Sequence, residues 1–265
     1  MSLLEIRDLQ VVYPNGLEAL KSVSLSAEAG EVIAIVGRSG AGKSTLLRCI
    51  NGLQPVTAGS IRLEGRELTT LSPRELQLMR RRIGFVWQEF NLVDRLPVIT
   101  NVLCGRLGHA GPYSSLLGYF DRNHREVALR NIERVNLLER AEQRADRLSG
   151  GEKQRISIAR AISQEPTLIL ADEPVASLDP ELSWQVMADL ARVVREDNLL
   201  ALINIHQVSL AKHFVDRVIG IARGSVVFDG PARDFDEAAM NRVYRYDKPA
   251  IPAHPVELEE VIHER

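Results

Sequence analysis

The residues from Gly37 to Thr45, GRSGAGKST, have the types and spacing needed to hold a polyphosphate. A glycine, four residues and then Gly-Lys-Ser let successive backbone N–H groups turn inward around anionic oxygens. Gly37, Ser39, Gly40 and Gly42 shape that cradle. Lys43 brings a point charge within reach of the β- and γ-phosphates, and Ser44, with Thr45 beside it, offers a hydroxyl to Mg²⁺. The loop follows an apolar run, VIAIVG, and leads into TLLRCING, which reads as a helix. Phosphate would therefore meet the positive end of a helix dipole. A glycine turn that merely precedes Lys-Ser is the competing reading, and the flanking strand and helix weigh against it.

Two further segments bear on the same chemistry. LILADE, Leu168 to Glu173, is an apolar strand ending in two carboxylates, which sets Asp172 beside Mg²⁺ or its water shell. Glu173, one residue past the strand, could polarise a water for attack on a γ-phosphate. LSGGEKQ, Leu148 to Gln154, precedes RISIARAISQ, whose apolar residues Ile156, Ile158, Ala159 and Ile162 have helical spacing. Ser149, Gly150 and Gly151 thus form a second anion-seeking helix start. Two such starts in one chain suggest a shared nucleotide, although Ser149 standing alone would read as a simple helix cap.

These groups need a frame. LLEIRDLQVVY, LKSVSLSAEAGE, VIAIVG and SIRLEG read as strands, and SPRELQLMRRR as a helix capped by Ser72 with Pro73 in its first turn. IGFVWQ is a further strand. Residues from about Val98 to Asn136 turn helical, interrupted by the loop GRLGHAGPYSSLLGYF. From Thr167 the order is LILAD strand, PELSWQVMADLARVVRED helix, LLALINIH strand, VSLAKHFV helix, then RVIGIA and SVVFDG strands. Alternation of this kind predicts a mixed sheet flanked by helices. The expected division is a core of residues 1–88 and 165–246, a helical insertion at 89–164, and a tail at 247–265 that is either a short helix or disordered.

Composition narrows the class. The chain has 265 residues, 45% hydrophobic and 26% charged, and a formal net charge of -2. These are values of a globular protein and not of a generally basic nucleic-acid binder. The run Arg80-Arg81-Arg82 reads as a solvated helix end. No stretch reaches the roughly 18 apolar residues of a membrane-spanning helix, and the first residues lack a signal-peptide layout, so any membrane role is expected to come through a partner. Cys49 and Cys104 form no CxxC pair; both are expected to be reduced, in the cytoplasm.

The three motifs GRSGAGKST, LSGGEKQ and LILADE, with SLD at Ser177 to Asp179, occur in an order that resembles the ATP-binding subunits of ABC transporters over residues 2–246. The resemblance implies an α/β P-loop NTPase core with a mixed sheet, an N-terminal antiparallel β subdomain and an inserted α-helical subdomain. It also implies that two copies pack head to tail, so that Ser149, Gly150 and Gly151 of one meet the γ-phosphate of ATP held by the other. Asp179 falls in that family's D-loop. Tyr13 matches the aromatic that stacks on adenine, Gln88 the Q-loop glutamine assigned to the metal and the catalytic step, and His206 the switch histidine. Without the resemblance, Tyr13 would read as strand-end packing, Gln88 as a surface polar group and His206 as a satisfied strand-end histidine.

Longer segments narrow the resemblance to ATPases of phosphonate or phosphite importers: LLRCINGL, QEFNLVDRLPVITNVLCGRLG, SLLGYF, LILADEPVASLDP and INIHQVSLA. The implied partners are a second copy of the chain, transmembrane permease subunits and, indirectly, a periplasmic substrate-binding protein, at the cytoplasmic face of the membrane and without nucleic acid. Arg38, Trp87 and Glu152-Lys153 depart from the commonest pattern. A soluble ATPase of a carbon–phosphorus bond-cleaving complex, or a transporter ATPase with another cargo, is the alternative. A chromosome-type ATPase would need a long coiled coil between the P-loop and the signature, and no sustained heptads are present there. P-loop kinases and GTPases leave LSGGEKQ unexplained.

Overall fold

The computed structural model describes residues 2–111, 118 and 120–244. The tail at 247–265 and most of the SLLGYF segment lie outside the described residues.

Two sheets share one core. A four-stranded antiparallel sheet has the order β2-β1-β4-β5, from β1 (Leu4–Val12), β2 (Glu18–Ala27), β4 (Ala58–Leu63) and the two-residue β5 (Arg66–Glu67). A six-stranded sheet has the order β10-β9-β3-β8-β7-β6, from β3 (Val32–Val36), β6 (Ile83–Val86), β7 (Leu168–Asp172), β8 (Leu200–Asn204), β9 (Arg217–Ala222) and β10 (Ser225–Pro231). Its strands are parallel except β10, which returns antiparallel beside β9.

Why the central strands read as unbroken apolar runs is visible in where their side chains go. Val32, Ala34 and Val36 enter one core cluster while Ile33 and Ile35 enter the other. Strand β7 divides the same way, with Ile169 and Ala171 on one face and Leu168 and Leu170 on the opposite one. A parallel sheet covered on both faces leaves no position for an outward polar residue. The first face carries α6 (Pro180–Glu196) and α5 (Gly150–Ile162). The second carries α1 (Lys43–Ile50) and the antiparallel sheet, so α1 lies between the two sheets.

Among the described residues, the stretch between β6 and β7 is helical. It contains α3 (Val98–Leu103), α4 (Arg122–Arg134) and α5, which pack on one another through residues such as Val102, Ile132 and Ile158. The remaining helices are α2 (Pro73–Arg80), α7 (Val208–Phe214) and α8 (Glu237–Tyr244). The expected cap of α2 is present as a full capping box between Ser72 and Glu75.

The basic run at the end of α2 is not free. Arg80 donates to the carbonyls of Asn51 and Gly52, the two residues that follow α1, at 2.9 and 2.7 Å, and Arg82 pairs with Glu64 at 2.7 Å. Helix C-terminal carbonyls are acceptors that need such donors, so this run ties helices together where solvent was expected. Helix α8 had no counterpart in the sequence reading. It packs back on the sheet, and a Cβ at Gly220 would come 2.4 Å from Val243 Cγ2.

Candidate functional site

The loops after β3, β7 and β8 open at one edge of the parallel sheet, where ligands of open α/β sheets collect. Strand β3 pairs with β8, and β8 with β7, so Gly37, Glu173 and His206 emerge side by side. Beside them lies a cleft of about 570 Å³ lined by Tyr13, Ser39, Gly40, Gly42, Lys43, Ser44, Thr45 and Glu173, to which the β9–β10 turn adds Arg223 and Gly224.

Two glycines of the loop, Gly37 and Gly42, are demanded by close approach. A Cβ on Gly37 would sit 2.3 Å from the carbonyl oxygen of Ile221, and one on Gly42 would sit 2.6 Å from that of Ala19. Gly42 also has φ of 108°, a region that L side chains rarely adopt. The loop is fastened from outside, since the Gly224 N–H donates to the Ala41 carbonyl at 3.0 Å and the Gly224 carbonyl accepts from Lys21 N–H at 2.7 Å.

Inside the loop the Lys43 ammonium donates to the carbonyls of Gly37 and Arg38, at 2.9 and 3.0 Å. Only 4% of Lys43 is exposed. Burial lowers its pKa, while the charges of Glu173 and Asp172 act to raise it. Neutral carbonyls are weak partners for a buried cation, so the ammonium is held ready for a stronger, anionic one.

Next to it, Ser44 Oγ donates to Asp172 Oδ1 at 2.8 Å. A hydroxyl and a carboxylate side by side are hard oxygen donors of the kind Mg²⁺ takes. Among the described residues no group of three or more His, Cys, Asp or Glu is arranged to hold a metal by itself. The donor set therefore suits a cation that draws its other ligands from phosphate and water, as Mg²⁺ does in nucleotide sites. Sequence reasoning missed a third member. Asn204, the last residue of β8, is fully buried and donates from Nδ2 to Asp172 Oδ1 at 2.6 Å and to Ser44 Oγ at 3.3 Å.

Glu173 has φ of 52°, a left-handed backbone that costs a non-glycine residue roughly 1–2 kcal/mol. Its N–H donates to the Asn204 carbonyl at 3.1 Å, and its Oε1 lies 2.6 Å from His206 Nε2. The residue lines the same cleft as Lys43. Tyr13 reaches the same cleft from the antiparallel sheet, its hydroxyl 3.0 Å from Thr45 Oγ1.

The remaining expected residues stand elsewhere. Ser149, Gly150 and Gly151 do not line the cleft. Ser149 caps α5, its hydroxyl accepting from Glu152 N–H while the Glu152 carboxylate accepts from Ser149 N–H at 2.8 Å. Asp179 caps α6, accepting from Leu182 N–H at 3.0 Å. Gln88 is exposed and lies outside the cleft lining. Two of the unusual residues have ordinary reasons, since Trp87 stacks on Phe85 at 3.8 Å and Glu152 serves the capping box as glutamine would, while nothing in the structure explains arginine at position 38.

With this geometry in place, comparison with known proteins decides the family. The ABC transporter family model matches residues 20–176, more than half of the chain, and spans the P-loop, the LSGGEKQ segment and the two carboxylates. The chain belongs to the ABC transporter family. Its curated relatives include the phosphonates import ATP-binding protein PhnC of Staphylococcus epidermidis, 49% identical over 92% of this chain and 95% of that protein. Another is the phosphonates import ATP-binding protein PhnC 3 of Halalkalibacterium halodurans, 45% identical over 91% of this chain and 94% of that one.

Among solved structures, a dimeric ATP-binding cassette in a post-hydrolysis state with ADP and Pi superposes with a TM-score of 0.74 at 31% identity, covering 88% of this chain and all of that one. An ABC transporter cassette in its ADP conformation superposes at 0.80 with 24% identity, over 91% of this chain and 98% of that one, which speaks to fold alone. The fold expectation of a P-loop core with mixed and antiparallel sheets and helices is met. As an ABC ATPase the chain binds nucleotide and couples its hydrolysis to transport. No helix among the described residues is long and apolar enough to cross a membrane.

Proposed function

We propose that this chain is the ATP-binding and hydrolysing subunit of an importer for phosphonate, phosphite or a related phosphorus oxyanion, acting at the cytoplasmic face of the cell membrane. The observation that carries the reading is a cleft lined by P-loop residues and Glu173, with Asp172 hydrogen-bonded to Ser44, together with 45% identity or better to phosphonate import subunits over nearly their whole length.

In this reading the ATP phosphates enter the loop and Lys43 leaves the Gly37 and Arg38 carbonyls for them. Ser44 and Asp172 would hold Mg²⁺, with Gln88 as the further ligand that the resemblance implies. The metal, when bound, neutralises charge on the phosphate oxygens. Glu173 accepts a proton from the attacking water, so that a water–phosphorus bond forms while the bond to the β-phosphate oxygen breaks and ADP leaves. His206 orients Glu173 through its 2.6 Å contact. Tyr13 turns its ring to the adenine.

Ser149, Gly150 and Gly151 are taken to complete the site of a second copy packed head to tail, with Asp179 at the seam. Their position outside the chain's own cleft supports this. Residues 89–164 are taken as the arm that meets the permease, and 1–88 with 165–246 as the nucleotide-holding core. The periplasmic binding protein is reached only through the permease.

Similarity to import subunits favours this reading over a soluble carbon–phosphorus cleavage complex. Affinity purification from detergent-solubilised membranes tests it. Integral membrane subunits should co-purify with the chain, and recovery with soluble enzymes alone would overturn the transport reading.

A further inference from the structure

Asn204 interrupts the apolar run LLALI at the point where β8 ends beside β7. A fully buried amide in the middle of a sheet is costly unless its hydrogen bonds are made, so its presence calls for a physical reason. The register pairs it directly with Asp172. Its side-chain amide nitrogen and its backbone carbonyl both reach residues at the cleft.

The hydrogens of the cluster can be assigned without choice. Asp172 Oδ1 accepts only, so the Asn204 atom 2.6 Å away must be the amide nitrogen. Ser44 gives its one hydroxyl hydrogen to the same carboxylate oxygen, which leaves its lone pairs to accept the second amide hydrogen, at 3.3 Å. Both donors thus converge on Oδ1. Among the described residues no donor meets Oδ2.

The backbone carbonyl of Asn204 accepts from Glu173 N–H at 3.1 Å and so pins the residue that carries the left-handed backbone. Asn204 Oδ1 is buried and has no hydrogen-bond partner, a cost the fold carries while Nδ2 is held on Asp172.

We propose that Asn204 is a positioning residue for the cation. Its amide nitrogen turns the Asp172 carboxylate so that Oδ1 is engaged and Oδ2 is left for the metal and its water. The same residue sets Glu173 through its carbonyl, so metal holding and water activation share one anchor. Asn204 touches neither phosphate nor the reacting atoms. The proposal rests on the reading of this cleft as a Mg²⁺–ATP site.

The test uses the full chain, Mn²⁺ as a spectroscopic probe, and a non-hydrolysable ATP analogue. Asn204→Leu keeps the size and burial of the side chain but removes its amide, while the backbone carbonyl that accepts from Glu173 N–H stays. Free Mn²⁺ is followed by electron paramagnetic resonance, and analogue affinity in EDTA by calorimetry. The variant should bind the analogue in EDTA as the wild type does, since the phosphate loop is untouched, yet need about 10-fold more Mn²⁺ for half-saturation. Asn204→Ser, too short to reach Asp172, should behave the same and serves if the leucine variant does not fold.

Equal Mn²⁺ affinity in wild type and variants would overturn the proposal. So would an equal loss of analogue affinity in EDTA, which would mean that Asn204 only keeps the strand ends in shape. A wild type with no cation-dependent binding at all would instead overturn the Mg²⁺–ATP reading of the cleft.

Discussion

His206 Nε2 and Glu173 Oε1 lie 2.6 Å apart at the mouth of the cleft, joining the loops that follow β8 and β7. The carboxylate is therefore oriented by a neighbour 33 residues away in sequence. If Glu173 is the base, Glu173→Gln should leave ATP affinity within about 2-fold and cut turnover by about 100-fold or more, the usual range for a general base. His206→Ala should likewise spare binding and slow hydrolysis, by removing the orienting contact. Single-turnover hydrolysis in the purified complex with its permease measures both, and near-wild-type rates would remove these residues from the chemistry.

Lys43 separates binding from folding. Burial disfavours the ammonium in the folded chain, so the folded protein holds this proton less tightly than the unfolded one, and the charge is a net cost of folding at neutral pH. Lys43→Met should then melt no lower than the wild type without nucleotide. Its ATP affinity should fall at least about 30-fold, or about 2 kcal/mol, because the polyphosphate loses a desolvated partner. Thermal melting with and without ATP reads both quantities, and a full ATP-induced shift in the variant would refute the assignment.

The start of α5 should be sensitive to acid. Burial pushes the Glu152 carboxyl up, but the Ser149 N–H and hydroxyl, with Arg140 and Arg155 nearby, outweigh this and hold it below the ordinary carboxylate range. Its contribution to stability is thus present above the unfolded pKa and is lost as pH falls through the lower folded one. Glu152→Ala should cost about 1 kcal/mol at pH 7. Glu152→Gln, which can still cap, should cost less and flatten the acid limb. Urea unfolding between pH 3 and pH 7 provides the comparison.

The head-to-tail reading makes a prediction about mixtures. When Lys43→Ala is in one subunit and Ser149→Arg in the other, both lesions fall in the same composite site and one intact site remains. When both substitutions are in one subunit beside a wild-type partner, each site carries one lesion. ATPase assays on tagged, purified mixed complexes should find more activity in the first arrangement. Equal activities would count against sharing of sites between copies.

The P-loop was legible in the sequence because its chemistry is local: the glycines, Lys43 and Ser44 adjoin one another, and the apolar run before them marks the strand. The same holds for Ser72 with Pro73 after it, a helix start read from adjacent residues, whereas the Glu75 half of the capping box appeared only in the structure. Asn204 was not legible, since its partners Ser44 and Asp172 come from other strand ends and are brought to it only by the β3-β8-β7 order. The one available signal was a polar residue inside LLALI-Asn-IH. Strand β5 is two residues long and carries no alternation to read. Helix α8 escaped notice although Ala239 and Val243, four apart, were the buried pair that marks it. Arg80 looked solvated because its acceptors, the carbonyls of Asn51 and Gly52, are backbone atoms that no residue type announces.

The central claim is that ATP hydrolysed in this cleft drives uptake of a phosphorus oxyanion. The most direct measurement is uptake of isotope-labelled phosphonate and phosphite by cells lacking the native subunit and supplied with either the wild-type chain or Glu173→Gln. The account predicts accumulation of at least one of these anions with the wild type and none above background with the variant. Accumulation of neither anion with the wild type, or equal accumulation with both chains, would contradict it.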